Sequence, residues 1–368
     1  MPNTTKTTAG LAPGSPVEVQ SPAKTLRCGV IGVGRMGRHH ARVYSEIPGC
    51  ELVGVVDANA EQRNDIAKQR GCKGYAEEAE LLAAGVDAVS IAVPTTAHLK
   101  VAKPFLEAGV ACLIEKPLAP NAEESKELAR LAEEHGACLQ VGHIERFNPV
   151  VRALRAEQDK DIPEGAEQSI TPRFMEVHRV SPMTFRSLDV SVVFDMMIHD
   201  LDLVLMLMGG VEPVEVQATG VSVLTEHADI CNARLVFDRP EGRCVATITA
   251  SRLAMKTERK ARLIAPDAYV SIDYAKKAGV LIRKKANAKT LDEVRDRLEE
   301  GQDLSSLNYM DLVAVEQLTI DDAEPLRMQL ESFVHAIRTG EKPEVDADAG
   351  FAAVRTAERI IEAIEKVG

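Results

Sequence analysis

The chain has 368 residues, of which 45% are hydrophobic and 27% are charged; at about 150 residues per domain, this length predicts two domains. Its 44 Lys and Arg residues against 56 Asp and Glu residues give a net charge of -12, which argues against a nucleic-acid partner because a phosphate backbone requires a basic face. The absence of Trp and an aromatic content of 4% argue further against a base-stacking surface. A small anionic ligand is not excluded, since it needs only a few local cations.

Residues 1–24 are rich in Thr, Pro, Ser and Gly and contain no apolar block, so we expect a disordered tail without a secretion signal. The longest apolar run, 201–211, is too short to span a bilayer and contains Asp202, so we expect neither a membrane segment nor a membrane partner. Seven scattered cysteines without a Cys-x-x-Cys pair indicate reduced, buried thiols in the cytoplasm rather than a zinc site.

From residue 26 onwards, short apolar runs alternate with stretches of helical periodicity. Strands are predicted at 26–33, 51–57, 87–93, 111–115 and 138–141, and helices at 35–47, 60–71, 95–109 and 121–135. Asn121, with Glu124 three residues later, resembles a capping box at the start of the last of these helices, and Gly136 predicts its end. This alternation predicts an α/β fold in which residues 25–149 form a doubly wound, Rossmann-type parallel sheet that binds a dinucleotide.

After residue 150 the pattern changes to short strands that follow one another directly. They are predicted near 172–180, 212–224, 229–238, 243–252, 259–265 and 268–273, with one helix near 191–208 among them. Alternation such as Val214, Val216 and Ala218 indicates one covered face. Residues 150–368 are therefore predicted to form an α+β domain with an open, largely antiparallel sheet, which binds substrate and forms oligomers.

Three further segments follow these strands. The charged stretch 284–310, with a helix at 291–300, is interpreted as a mobile insertion. Helices near 323–339 and 346–366 end the chain, and we expect the last one to pack back toward the first domain.

A glycine-rich turn joins the first predicted strand to the first helix in a G-x-G-x-x-G pattern. Such glycines permit a tight turn, close approach of a pyrophosphate and packing of the helix on the sheet, while the helix N-terminus presents free N–H groups to the phosphates. Asp57 ends the next strand, where a carboxylate binds the adenosine ribose and disfavours a 2′-phosphate, so NAD is favoured over NADP. The alternative is a structural turn with an Asp that caps a helix. We predict an NAD site formed by Gly32, Gly34, Arg35, Met36, Gly37 and Asp57.

The tripeptide Glu115-Lys116-Pro117 follows the predicted strand 111–115. It lies at the carboxyl edge of the sheet, where open α/β sheets bind ligands. A lysine that is partly desolvated there, next to a cationic nicotinamide, should have a lowered pKa and could bind a substrate hydroxyl or relay its proton. The alternative is a surface lysine ahead of a turn proline.

Asp195 and His199 lie four residues apart in the predicted helix 191–208, a spacing that places both on one helix face. A histidine can accept a proton near neutral pH, and a carboxylate can orient it. The alternatives are a surface ion pair, a helix cap, or a metal site completed by His178, Asp200 and Asp202. Because the glycine turn already supplies a redox cofactor, we predict acid–base catalysis and no metal.

Taken together, these motifs resemble the Gfo/Idh/MocA family of sugar oxidoreductases. The resemblance rests on Gly32–Gly37 with Asp57, on Glu115-Lys116-Pro117, and on Asp195 with His199. It extends to Ala92-Val93-Pro94 with His98, to Phe333–Gly340 with Pro343, and in all to about residues 25–366.

The resemblance implies an active NAD-dependent dehydrogenase that acts on a sugar CH–OH group. It implies that Pro94, Thr95 and Glu115 line the nicotinamide ribose, and that His98 and Lys116 also belong to the cofactor site. It implies that Lys116 and His199 bind the reacting hydroxyl and that Asp195 positions it. Members of the family bury the open face of the second sheet in a homodimer or homotetramer, so we expect a homo-oligomer.

A narrower resemblance, carried by 142–149 and 189–202, is to family members that oxidise the 3-hydroxyl of UDP-N-acetylglucosamine to a ketone. For a nucleotide sugar of this kind, Arg179 and Arg186 are candidates to bind the diphosphate, and Arg146 is a third. His143 is either a residue of the substrate pocket or a buried core histidine.

Other functions are open from the sequence. A neutral polyol substrate, as in a myo-inositol 2-dehydrogenase, would make Arg179 dispensable, and a 3-ketosugar reductase would run the reaction backwards. A sensor that keeps NAD without turnover belongs to another class, and the retained Lys116 and His199 argue against it. A metal-assisted hydrolase or deaminase is the last alternative.

Overall fold

The computed structural model describes residues 24–158, 170–185, 189–285, 295–301 and 308–367. The predicted tail lies outside these residues except for Lys24, whose Nζ lies 3.0 Å from Asp87 Oδ1. Arg186 and much of the predicted insertion 284–310 also lie outside them.

The first sheet has six strands within residues 24–158, which are described without a gap. They are β1 (Leu26–Ile31), β2 (Cys50–Val56), β3 (Lys73–Tyr75), β4 (Ala88–Ile91), β5 (Ala111–Glu115) and β6 (Leu139–Gly142). Their order is β3-β2-β1-β4-β5-β6, and every neighbouring pair is parallel. All residues of β4 and β5 are buried, as expected for strands covered by helices on both faces. The predicted doubly wound parallel sheet is confirmed.

Five α-helices each follow one of the strands β1 to β5. They are α1 (Gly37–Glu46), α2 (Ala60–Arg70), α3 (Glu78–Ala83), α4 (His98–Glu107) and α5 (Ala122–Glu134). The sequence analysis predicts four of them but neither β3 nor α3, because such short elements show no clear period. A 3₁₀ turn, Thr95–Ala97, precedes α4. The predicted cap of α5 is confirmed, since the Glu124 N–H donates to Asn121 Oδ1 over 2.8 Å.

The second sheet has eight strands in the described part of the chain. They are β7 (Phe174–Val180), β8 (Glu215–Val221), β9 (Ile230–Phe237), β10 (Cys244–Ser251), β11 (Glu258–Ile264), β12 (Ala268–Asp273), β13 (Ala278–Lys284) and β14 (Val313–Gln317). Their order is β14-β13-β12-β11-β7-β10-β9-β8, with β7 and β10 parallel and the other pairs antiparallel. The predicted open, largely antiparallel sheet is confirmed. The sequence analysis does not predict β13 and β14, because both border the charged stretch 284–310.

The helices after β6 place the functional segments. They are a 3₁₀ turn (Ile144–Phe147), α6 (Pro149–Gln158), a π-helical turn (Val193–Met197), α7 (Ile198–Leu207), a single turn (Tyr309–Leu312), α8 (Pro325–Thr339) and α9 (Ala347–Val367). The predicted helix 191–208 therefore contains a widened turn. Residues 295–299 are also helical, inside the predicted helix 291–300. The sequence analysis does not predict α6, which begins at a proline, a residue favoured at the first helical position.

The end of the chain contacts both sheets. The Ala122 N–H at the start of α5 donates to Glu358 Oε1 of α9 over 3.0 Å. Ile364 of α9 packs so closely on β8 that a Cβ on Gly220 would lie 2.9 Å from its Cδ1. Helix α9 thus holds the two sheets together and brings α7 toward the carboxyl edge of the first sheet.

All seven cysteines are free thiols. Four are buried, as predicted, but Cys50, Cys72 and Cys138 are half-buried, which corrects the expectation for these three. Among the helices that the structure describes, none is long and apolar enough to cross a membrane.

Candidate active site

The glycine turn has the backbone geometry that a phosphate loop requires. Gly32 has a φ of +80°, a value that favours glycine. A Cβ on Gly37 would lie 1.7 Å from the Gly32 carbonyl oxygen, so only glycine fits there. Beside Gly34 the space is open, since the nearest atom to a Cβ there is Gln62 Nε2 at 3.9 Å. Arg35 is exposed and Met36 half-buried beside this opening, and the loop therefore fits a bound dinucleotide.

Asp57 lies beside the same loop at the end of β2. Its carboxylate accepts hydrogen bonds from the Val33 and Asn59 N–H groups, both over 2.8 Å, and from Gln62 Nε2 over 3.2 Å. Asn59, not Asp57, caps α2, since its side chain accepts from the Gln62 N–H. The helix-capping alternative for Asp57 is therefore excluded.

The segment after β4 lies beside the tripeptide that follows β5. Pro94 is exposed and Thr95 half-buried at this edge. His98 is 1% exposed, and its ring nitrogens lie 3.1 Å from the carbonyl oxygens of Pro117, Leu118 and Val93. Its ring therefore connects two loops, and a contact of His98 with the cofactor stays a prediction.

A chain of buried hydrogen bonds leads from Glu115 into the first sheet. Glu115 Oε1 lies 3.0 Å from His40 Nε2, whose Nδ1 lies 3.0 Å from Ser90 Oγ. Ser90 Oγ in turn lies 2.9 Å from the hydroxyl of Tyr44. Burial alone would raise the pKa of Glu115, but the hydrogen bond and charge of His40 bring it below the ordinary value. This series of hydrogen bonds therefore keeps Glu115 in its ionised form.

Lys116 reaches from the first sheet to the π-helical turn of the second half of the chain. Its Nζ donates to the backbone carbonyl of Asp195 over 2.8 Å. Burial lowers the pKa of Lys116, as predicted, while the charges of Asp195 and Glu115 oppose this effect. A π-helical turn widens the backbone and is frequent at functional sites, and here it accepts the bond from Lys116.

His199 follows this turn at the start of α7. Its Nδ1 is buried without a hydrogen-bond partner among the described residues. Burial, and then the charges of Lys116 and Arg179, lower the pKa of His199 well below its ordinary value. The Lys116 ammonium group therefore lies near enough to His199 for its charge to act on the imidazole. Among the described residues no hydrogen bond links the Asp195 carboxylate to His199, whereas the Asp195 carbonyl accepts one from Lys116. The orientation of His199 by Asp195 stays a prediction.

His143 lies directly after β6, and its charge acts on His199. It is 1% exposed, and both ring nitrogens are buried without a hydrogen-bond partner within the described residues. Its pKa is lowered by burial, by Arg146 and by Lys116, although the charge of Asp202 opposes these effects. Such an unpaired donor and acceptor are costly unless a ligand satisfies them.

Two predicted substrate arginines are already paired. Arg146 binds both carboxylate oxygens of Asp202, over 2.8 and 2.6 Å. Arg179 binds Asp200 over 2.7 and 2.9 Å and Glu145 over 3.0 Å. Both guanidinium groups therefore pair with carboxylates of the chain, and binding of a diphosphate by Arg146 and Arg179 stays a prediction. Arg186 lies outside the described residues.

The same ion pairs bear on the metal alternative. Asp200 and Asp202 face arginines rather than each other. Within the described residues, no group of three His, Cys, Asp or Glu side chains could hold a metal ion.

The sequence analysis misses three contributors to this site: the chain behind Glu115, the π-helical turn and the ion pairs of α7. His40 and Tyr44 are four residues apart on the buried face of α1, a spacing that could have marked a buried polar pair. Glu145 carried no such signal, because a lone acidic residue in a turn is usually solvated.

Two family models match the chain. Residues 26–143 match the oxidoreductase family with an NAD-binding Rossmann fold. Residues 172–269 match the Gfo/Idh/MocA C-terminal domain.

Several known proteins are similar to the chain. UDP-N-acetylglucosamine 3-dehydrogenase from Acidithiobacillus ferrooxidans is 35% identical over 340 residues, which are 92% of this chain and 97% of that protein. A solved structure of that enzyme has a TM-score of 0.78 and covers 93% of this chain and 98% of its own. An inositol 2-dehydrogenase from Rhizobium meliloti is 35% identical over 205 residues, which are 55% of this chain and 61% of that protein. GenD2 from gentamicin A biosynthesis, solved in complex with NAD, shares the fold with a TM-score of 0.73 at 21% identity over 98% of both chains.

Proposed function

Because this chain belongs to the Gfo/Idh/MocA oxidoreductase family, we propose that it is an NAD-dependent dehydrogenase of a nucleotide sugar. The proposed substrate is UDP-N-acetylglucosamine, whose 3-hydroxyl is oxidised to a ketone. A relative that carries this activity in its name matches 92% of the chain at 35% identity.

One observation carries the catalytic part of the proposal. Lys116, from the carboxyl edge of the first sheet, donates to the Asp195 carbonyl over 2.8 Å. The charge of Lys116 acts on His199, which lies four residues after Asp195. The nearness of two groups that can hold and deprotonate a hydroxyl supports their joint action on the substrate.

NAD+, when bound, supplies the acceptor for the hydride that leaves the sugar carbon. The chain holds the reacting hydroxyl and removes its proton. His199 is the proposed base, since its lowered pKa keeps the imidazole neutral near pH 7. Lys116 donates to the hydroxyl oxygen and stabilises the negative charge that develops as the proton passes to His199.

The residues of the cofactor site have separate proposed roles. Gly32, Gly34 and Gly37 accommodate the pyrophosphate, with Arg35 and Met36 at the rim of the loop. The Asp57 carboxylate receives the hydroxyls of the adenosine ribose. Pro94, Thr95 and Glu115 line the nicotinamide ribose. These roles rest on the open space beside Gly34 and on the exposure of this edge.

His143 is the proposed residue for a polar group of the sugar near the reacting carbon. Its ring offers one donor and one acceptor, neither of which has a partner in the described chain. A hydroxyl or acetamido group can satisfy both.

With Arg146 and Arg179 paired, the proposed cation for the diphosphate is Arg259 of β11. Its side chain is 48% exposed and lies 3.9 Å from Glu145 at its nearest ion-pair atoms. Its charge also acts on His199, which supports a position near the proposed base.

The experiment is a substrate panel with NAD+, in which NADH formation is followed by absorbance and products are identified by mass. UDP-N-acetylglucosamine should give NADH and a product two hydrogens lighter. Reactions with Lys116→Ala and His199→Ala are the controls, since background reduction of NAD+ would persist in them. If none of the UDP-sugars in the panel supports NADH formation, the proposal of a nucleotide-sugar substrate is rejected.

The second candidate is a polyol dehydrogenase that oxidises inositol. The inositol 2-dehydrogenase at 35% identity favours it, as does the pairing of Arg146 and Arg179 with carboxylates. Turnover of myo-inositol, with none of UDP-sugars, would select this candidate. NAD binding without turnover of any substrate would select a sensor.

We also propose that the chain forms a homo-oligomer through the outer face of the second sheet. A row of aligned residues crosses four adjacent strands on this face: Val245, Phe174, Ile264 and Tyr269. Phe174 is 41% exposed, so a second copy would bury apolar surface there. A molar mass of one chain, measured by light scattering, would reject this assembly.

The cytoplasm is the proposed location. All seven cysteines are free thiols, which suits a reducing compartment. Fractionation that finds the chain outside the cytoplasm would reject this location.

A further inference from the structure

Arg179 binds the residue that follows His199 at the start of α7. Its Nε and Nη2 bind the two oxygens of Asp200 over 2.7 and 2.9 Å, and its Nη1 binds Glu145 over 3.0 Å. Asp200 is the residue after His199, and Glu145 belongs to the turn after β6. One guanidinium therefore links three segments: β7, α7 and the end of the first sheet.

These groups are removed from solvent. Arg179 is 3% exposed, Asp200 1% and Glu145 8%. A buried bidentate pair between an arginine and a carboxylate has a fixed geometry, because the planar fork admits one arrangement. The position of Asp200, and with it the backbone of His199, is thus set by Arg179.

A second pair holds the same helix two residues further on. Arg146, the residue after Glu145, binds both oxygens of Asp202 and also donates to the Glu344 carbonyl over 3.0 Å. Glu145 and Arg146 therefore both hold α7: Arg146 binds Asp202 directly, and Glu145 acts on Asp200 through Arg179.

We propose that Arg179 is a positioning residue that, through Asp200 and Glu145, fixes His199 relative to Lys116 for removal of the substrate proton. This inference rests on the proposed function, because it assigns the purpose of the arrangement to proton removal. It also gives Arg179 a role other than substrate binding.

The charge of Arg179 has a second effect on His199. The charged and titratable groups that face His199 from other elements are Lys116, Arg179, His143 and Arg259. The carboxylates on its own helix are Asp200 and Asp202, and Asp195 lies in the π-helical turn before it. After burial and Lys116, the Arg179 guanidinium is the next cause that lowers the pKa of His199. Removal of this charge should therefore raise that pKa, whereas a substitution that keeps the charge but not the planar fork should leave it near its value.

The first readout is the titration of His199, followed by NMR of the full chain with labelled histidine and assigned with His199→Gln. In Arg179→Gln, the midpoint should rise by roughly one pH unit. In Arg179→Lys, which keeps the charge but not the fork, the midpoint should stay near that of the unsubstituted chain. An unmoved midpoint in a folded Arg179→Gln protein would overturn the electrostatic part of the inference.

The second readout is turnover. Arg179→Lys should lower kcat by about tenfold with an unchanged Kd for NAD, since small misplacements of a catalytic group lower the rate strongly. Wild-type kcat in Arg179→Lys would overturn the positioning role, and this holds even where Arg179→Gln does not fold.

Glu176→Gln is the matched control. Glu176 lies on the same strand as Arg179 but on the opposite face, where it pairs with Arg262 over 2.6 Å. Its loss should change neither kcat nor the His199 midpoint. If the unsubstituted chain turns over no substrate, the proposed function fails, while the His199 titration in the Arg179 variants still decides this inference.

Discussion

The ammonium group of Lys116 donates a hydrogen bond to the backbone carbonyl of Asp195 over 2.8 Å, although the two residues are 79 positions apart in the chain. The bond joins the carboxyl edge of the parallel sheet to the π-helical turn ahead of α7. Because the carbonyl, not the carboxylate, is the acceptor, Asp195 holds Lys116 through its backbone. Its carboxylate adds a favourable charge near the same ammonium group.

Removal of either proposed catalytic side chain should lower turnover far more than NAD binding. We expect kcat to fall by roughly 10²–10⁴-fold in Lys116→Met and His199→Gln, the range typical of a lost acid–base group. The Kd for NAD, measured by calorimetry, should change little in His199→Gln. Lys103→Met is the control, since Lys103 is 53% exposed on α4 and pairs only loosely with Glu107 at 3.8 Å. A kcat near that of the unsubstituted chain in both variants would reject the assignment.

The glycine turn and the strands around it were predictable because their signals are local. Gly32 needs its positive φ and Gly37 its missing Cβ for reasons that act within a few residues. Strands such as Ala111–Glu115 are apolar throughout because helices cover both faces. Local chemistry thus predicts the fold class and the dinucleotide-binding half of the candidate site.

The ion pairs of α7 could not be predicted in the same way. Arg179 and Asp200 are 21 residues apart, and Arg146 and Asp202 are 56 apart. From the sequence an arginine is most often a solvated charge, so burial and partners follow only from the packing of the two sheets. The pairing of Arg179 with Asp200 and Glu145 could not be predicted for this reason.

The value of kcat/KM should fall at low pH because of His199 and at high pH because of Lys116. His199 must be neutral to accept a proton, and its pKa is lowered, so the acid limb of kcat/KM should lie below the ordinary histidine midpoint of about 6.5. Lys116 must be charged to donate, and its lowered pKa places the basic limb below the ordinary lysine midpoint of about 10.4. In Lys116→Arg the basic limb should move to higher pH. A profile whose basic limb is the same in both proteins would contradict the role of Lys116.

The hydrogen-bond chain behind Glu115 should support both stability and cofactor binding. Ser90→Ala removes the link between His40 and Tyr44, so two buried polar groups lose a partner, at about 1–3 kcal/mol each. Urea unfolding should show this loss, and the Kd for NAD should rise as Glu115 loses its support. Ser45→Ala, which removes an exposed hydroxyl of α1, should leave both quantities unchanged.

Stability should fall on acidification because buried histidines resist protonation. Burial lowers the pKa values of His98, His143 and His199 in the folded chain. Between these lowered values and the ordinary midpoint of about 6.5, the unfolded chain binds more protons, so the free energy of unfolding decreases as the pH falls. Thermal unfolding from pH 8 to 5 measures this slope. The slope should become shallower in His143→Gln, and an equal slope in that variant would show that His143 does not contribute.

Two alanine substitutions in the glycine turn should have different effects. In Gly37→Ala the new Cβ would lie 1.7 Å from the Gly32 carbonyl oxygen, so the backbone must shift and the chain should lose about 1–3 kcal/mol of stability or more. In Gly34→Ala the nearest atom to the new Cβ is 3.9 Å away, so thermal stability without ligand should be unchanged. The methyl group would nevertheless occupy the side on which a pyrophosphate approaches, and the Kd for NAD should rise at least tenfold. Unchanged NAD affinity in Gly34→Ala would mean that the dinucleotide does not lie against this turn.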